Sequence, residues 1–194
     1  VASEFRNLSL VEQPNGDFAT TVVRHMLFSA WQELVYTELA NGRDAHLASI
    51  ANQSLPQSQY HWRYTSHWLL RLGDGTEESH RRAQNALDDL WRFTGELFTP
   101  DAIDDQALAD GVGPNLANLQ PHWLSRIATL CSNATLFLPT VNPSRWYGKQ
   151  GQHGEALGRL LAEMQSRSRT YPEAGWQGQC NHHDSHRTQP TTVG

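Results

Sequence analysis

Cysteine and methionine are nearly absent from this chain, with two of each in 194 residues. Cys131 and Cys180 stand far apart and form no metal-like spacing, so free thiols are expected rather than a disulfide framework or a zinc module. No run approaches the ~18 consecutive apolar residues of a membrane span, and no signal-peptide pattern is read at the start. Basic residues are also in the minority. Fifteen Lys+Arg against twenty Asp+Glu give a formal charge of −5, which argues against a nucleic-acid partner held by a basic footprint. The short GDGT stretch at residues 73–76 lacks the lysine and the length of a phosphate-binding loop. These absences leave a protein without nucleic-acid or membrane partners, expected to be cytoplasmic, long enough for one domain with a proper core.

What is present is helical periodicity. Residues 60–98 read as two helices joined by a tight turn, with Gly73 expected in a left-handed C-terminal cap and Thr76 as the next N-cap. Ala83, Leu87, Leu90, Thr94 and Leu97 then follow one another at spacings of four and three, a single apolar seam. Upstream, Asp17 should cap a helix reaching Ala40, whose seam is Val23, Leu27, Ala30, Leu34 and Thr37. Phe28, Trp31, Val35 and Tyr36 widen its apolar surface, so burial on more than one side is expected.

A helix over 44–72 contains Pro56, which should kink or break it at Leu55, because proline removes a backbone hydrogen bond and clashes with the preceding turn. Further helices are expected over 77–98, over 118–133 with Leu119, Trp123, Ile127 and Leu130 on one face, and over 154–169, burying Leu157, Leu160, Leu161 and Met164. Asn118 would cap the fourth of these and place Pro121 in its first turn. Residues 1–16 and 134–143 read as irregular or extended, with a short helical turn around 105–109. Residues 177–194 have no periodicity and few large apolar side chains, the pattern of a disordered tail. The seven tryptophans suit a bundle core or a subunit interface.

The segments YHWRYTSHWLLRLGDGT and ALDDLWRFTGELF, with LVEQPNGDFATTVVRHMLFSAW before them and HGEALGRLLAEMQ after, occur in an order that resembles a known family. It is the structural (C) subunit of the phenylacetyl-CoA 1,2-epoxidase, a bacterial multicomponent oxygenase of phenylacetate degradation. The resemblance covers most of the chain from about Leu8 to Trp176. It implies an all-α, ferritin-like helical bundle over residues 1–176 that has lost its metal site. It also implies pairing with a homologous catalytic subunit that holds two irons and binds the CoA thioester, together with further subunits and a reductase. Members are expected to carry another N-terminal helical segment, so the chain reads as a truncated product or a mis-set start. Part of the seam formed by Val23, Leu27, Leu34, Leu87 and Leu90 would then lie uncovered.

The residues themselves bear on catalysis. A carboxylate-bridged di-iron bundle needs a Glu from each of two helices and a Glu-x-x-His from each of two others. The chain has one Glu-x-x-His, Glu77 to His80, in the first turn of a helix, where Glu77 serves better as a partner of the helix dipole. Near the expected centre stands His61, preceded by Gln57 and Ser58, neither of which supplies a negative ligand. His25, His61 and His67 read as hydrogen-bonded bundle residues. Glu33, Glu38 and Glu96 have no Glu-x-x-His partners, so solvent or interface positions are expected for them. His153 and Glu155 should tie a loop and cap the last helix.

Cys180, His182, His183, Asp184 and His186 have metal-like composition but no fold around them. No catalytic, cofactor or metal residue is therefore assigned, and no cofactor is expected in this chain. A stand-alone di-iron oxygenase and a nonfunctional fragment of the same family are the alternatives.

Overall fold

The computed structural model describes residues 2–140 and 147–170. The expected tail, with its Cys180 and histidine cluster, lies outside the described residues, as does the end of the extended stretch from Ala134.

Seven α-helices are described: α1 (Ser9–Glu12), α2 (Phe18–Ala40), α3 (Ala45–Gly73), α4 (Glu77–Trp91), α5 (Ala102–Ala109), α6 (Leu116–Asn133) and α7 (Glu155–Thr170). Among the described residues there is no strand beyond one isolated bridge between Tyr147 and Gln152. The all-α expectation holds. The starts follow local chemistry. Asp17 Oδ1 accepts from the Thr20 amide at 2.8 Å, Thr76 Oγ1 from Ser79 at 3.1 Å, and Asp101 forms a reciprocal capping box with Asp104.

Helix α2 is the hub, packed against α3, α4 and α6. Its Val23, Met26, Leu27 and Ala30 are fully buried with Leu87, Leu90 and Leu97, and Trp123 and Ile127 close the core from α6. The seam expected to lie uncovered is therefore covered by the chain's own helices; of its members only Leu34 is partly exposed. The periodicity located the stripe correctly, but α4 and α6 suffice to bury it.

Five other expectations are corrected. Helix α3 runs unbroken through Pro56. The carbonyl that proline leaves without a donor belongs to Asn52, and both residues are exposed, so water can satisfy it. Pro56→Ala should restore that bond and raise stability by up to ~3 kcal/mol. A urea midpoint that rises with an unchanged m-value is the result expected.

Helix α6 starts earlier than expected, capped by Asn115, which accepts from Asn118 at 3.2 Å. Pro121 consequently sits in the second turn, where its orphaned partner, the carbonyl of Ala117, belongs to an exposed residue. Gly73 is not left-handed; it is the last residue of α3, and a Cβ there would come 2.0 Å from the Ala134 carbonyl oxygen. Glycine is needed for close approach, not for a turn. Helix α7 buries Leu157 alone of its four apolar residues, leaving Met164 70% exposed, because it packs chiefly on the short N-terminal segment.

The expected helix over 77–98 is also divided. It stops at Trp91 and tightens into a 3-10 turn over Thr94–Phe98, where Thr94 Oγ1 donates to the Trp91 carbonyl at 2.8 Å. Thr94, Glu96, Leu97 and Phe98 are all buried there. That turn carries the acid on which the polar interior depends.

Candidate functional site

The sequence's metal candidates do not converge. His80 Nδ1 faces the Gly73 carbonyl at 2.9 Å, and Glu77 is exposed in the first turn of α4. His25 and His61 meet across α2 and α3 with tilted rings, their centroids 4.6 Å apart. Burial, then the neighbouring His61 and Arg24, push His25 below its ordinary value, favouring the neutral ring. Beside them Gln57 is exposed and Ser58 is buried, and neither offers a carboxylate. His67 and Glu38 are exposed. Among the described residues no three His, Cys, Asp or Glu side chains are grouped to hold a metal ion. This donor set does not fit a di-iron cage, which needs inward carboxylates from several helices.

Two acids expected at solvent or interface positions are structural struts. Glu33 on α2 meets Arg126 of α6 at 2.8 Å, and that guanidinium lies 4.5 Å over the Trp62 ring of α3. One cation thus ties three helices. Glu96 is buried and accepts two backbone N–H groups, from Ser9 at 2.8 Å and from Lys149 at 3.0 Å.

Around Glu96 runs a polar clasp, buried at Glu12 and His153 and partly open at Lys149, that periodicity could not show. The Lys149 ammonium donates to the Thr99 carbonyl at 2.9 Å and pairs with Asp104 at 2.5 Å. Glu12 accepts from the Asn7 amide at 2.7 Å, and His153 Nδ1 lies 2.5 Å from the same oxygen. His153 Nε2 lies 3.0 Å from the Phe5 carbonyl. Both ring nitrogens face acceptors, so Nε2–H donates to Phe5 and a proton lies between Nδ1 and Glu12. Burial pushes the Glu12 carboxyl up, against the lowering effects of His153 and Asn7, and the charge of Glu96 adds to the rise.

His153 ties its loop as expected, but to the N-terminal segment. Glu155 opens α7 and pairs with Arg159 at 2.7 Å on the surface. Glu12 and Asn7 were missed by sequence reading, since they lie in a stretch without period; the only signal for Glu12 was the polar string within LVEQPNGDFA, and Asn7 lies outside it.

Beside the clasp lies an apolar groove of about 590 Å³, floored by Phe28, Trp31, Val35 and Leu39 of α2 and walled by Val112, Pro114 and Leu116. Of these, Phe28, Trp31 and Val35 were expected, with Tyr36, to be buried on a second side, yet from Trp31 onward the helix has no fully buried residue. Cys131 has no such access. Its thiol is buried and pushed up to about 11, so it packs as a small apolar group.

A profile of the phenylacetic acid catabolic protein family matches residues 1–176. The chain belongs to that family. Within it, the chain is similar to the C subunit of the 1,2-phenylacetyl-CoA epoxidase of Escherichia coli (strain K12). The two are 40% identical over 173 residues, covering 89% of this chain and 70% of that protein. The α2, α3, α4 and α6 core is the ferritin-like bundle of the phenylacetic acid catabolic proteins. None of the described helices is long and apolar enough to cross a membrane.

Proposed function

We propose that this chain is the non-catalytic structural subunit of a phenylacetyl-CoA 1,2-epoxidase, acting in the cytoplasm in aerobic phenylacetate catabolism. Its partners are a homologous catalytic subunit, further subunits and a reductase. The observation that carries the reading is the donor set around His61 and at the start of α4. Where a cage of carboxylates would be required, the residues beside His61 are Gln57 and Ser58, and the Glu77–His80 pair serves a helix end. The similarity to the C subunit of the Escherichia coli epoxidase supports the same assignment.

In this reading the two irons that activate O₂ reside in the catalytic partner, and this chain supplies rigidity and surface. The polar clasp and the Arg126 strut lock the helices without offering a site for chemistry. A rigid bundle loses little conformational entropy on docking, which favours a stable complex.

Iron analysis and turnover assays test the assignment. The purified chain should hold no stoichiometric iron and convert no phenylacetyl-CoA. Mixed with the catalytic partner and reductase, it should co-elute in one complex and support epoxidation. About two irons per chain, with turnover in the absence of the catalytic partner, would overturn it in favour of a stand-alone oxygenase.

A further inference from the structure

Helix α3 has 29 residues and contains no Asp or Glu, although the chain as a whole has twenty. Its charged side chains are Arg63 and Arg71, both exposed. The same helix carries a ladder of aromatic rings toward solvent. Tyr60 and Tyr64 stack with centroids 6.1 Å apart, Tyr64 meets Trp68 edge-on at 6.4 Å, and Phe18 of α2 meets Trp68 at 5.0 Å. Arg71 lies 5.4 Å over the Trp68 ring. Phe18, Tyr60 and Tyr64 are 49%, 55% and 45% exposed. Three large aromatics left half in water along one ridge have no role in this chain's own core.

We propose that this ridge is the docking surface for a different polypeptide, one that presents a helix with carboxylates flanking an apolar stripe. The inference rests on the subunit reading above and names the face that reading requires. Three half-exposed rings offer roughly 300 Å² of aromatic surface. That is more than a third of the ~800 Å² each side contributes to a standard interface, so the ladder suffices as its centre. Tyr, Trp and Arg are the side chains most enriched at binding hot spots.

Charge selects the occupant. A second copy docking the same face by two-fold symmetry would set Arg63 and Arg71 against their own kind, with no acid on either helix to compensate. A single-stranded nucleic acid could stack on such rings, but it needs a cationic groove to follow its backbone, and this chain is net negative. An acidic polypeptide face meets both requirements, with apolar contact on the rings and carboxylates for the two guanidinium groups. At the Phe18 end no carboxylate competes, since Asp17 already accepts from Thr20 and pairs with Arg82.

Affinity measurements with the full chain and the purified catalytic partner test this directly. The paired substitution Tyr60→Ala and Tyr64→Ala should leave the melting temperature within about 2 °C, because both rings are exposed, yet weaken binding by at least about 30-fold. Arg63→Glu with Arg71→Glu should weaken it comparably and flatten its salt dependence. Phe137→Ala, an exposed aromatic away from the ridge, should change nothing.

If the catalytic partner binds the parent chain and the ladder variants equally, the ridge is not the interface, while the subunit reading survives. If it does not bind the parent chain, both fail. A homodimer abolished by the tyrosine pair, or binding of an oligothymidine strand abolished by it, would overturn the proposal in favour of those occupants.

Discussion

Truncating Glu96 to alanine is expected to destabilise the fold by about 3–5 kcal/mol, the range for removing one partner of a buried, charge-assisted network. Both carboxylate oxygens are in use, on the amides of Ser9 and Lys149, which belong to segments distant in the chain. Without the carboxylate one buried and one partly buried N–H group lose their acceptor and the N-terminal segment loses its anchor. Glu96→Gln keeps one acceptor and should cost about half as much. Urea unfolding would measure both, and limited proteolysis should show early cleavage before Asp17 in the alanine variant. A loss below about 1 kcal/mol for Glu96→Ala would mean that the clasp does not hold the segment.

The neighbouring Glu12 makes stability depend on pH. Its folded value is raised above the ordinary 4.5, so the folded state binds its proton more tightly than the unfolded chain does. The stability it contributes is complete below pH 4.5 and is lost as the pH climbs through the raised value. Glu12→Gln should remove that downward slope. Stability measured against pH in the two proteins would reveal it as a difference confined to the region above 4.5.

Trp123→Ala should cost about 3–5 kcal/mol, enough to consume much of a typical domain's stability. The indole is fully buried and packs against Trp91 at 5.6 Å and Phe98 at 5.2 Å, joining α6 to α4 and the turn after it. Its Nε1–H donates to the Leu27 carbonyl at 3.0 Å, fixing α6 on α2. Trp123→Phe retains a ring in the site and loses the hydrogen bond, so a smaller loss of roughly 1–2 kcal/mol is expected. Equal losses for the two variants would place the energy in the hydrogen bond rather than in packing.

The aromatic face of α6 was readable from spacing alone: Leu119, Trp123, Ile127 and Leu130 recur at helical intervals, and all are buried. The same holds for the stripe of α4, for that of α2 as far as Ala30, and for the caps at Asp17 and Thr76, while Leu34 and Thr37 farther along α2 stay in contact with water. These features are local, since a helix start needs one side chain near three amides and a buried stripe needs only a period. The site was legible chiefly by composition. One Glu-x-x-His and no acid beside His61 set the expectation of no di-iron cage, while which of these side chains come together was left to the packing of the helices.

Tertiary structure decided the rest. Whether Glu96 meets water or two amides depends on segments 87 and 53 residues away closing over a tightened turn. Gly73 looked like a helix terminator, and only the approach of the Ala134 carbonyl shows why a side chain is forbidden there. Pro56 looked like a break, yet the helix continues, because Pro56 and Asn52 face solvent, where the freed carbonyl is accessible to water. The uncovered α3 ridge is likewise a property of the assembled bundle. Periodicity marks which residues are apolar, and only packing determines which of them the chain itself covers.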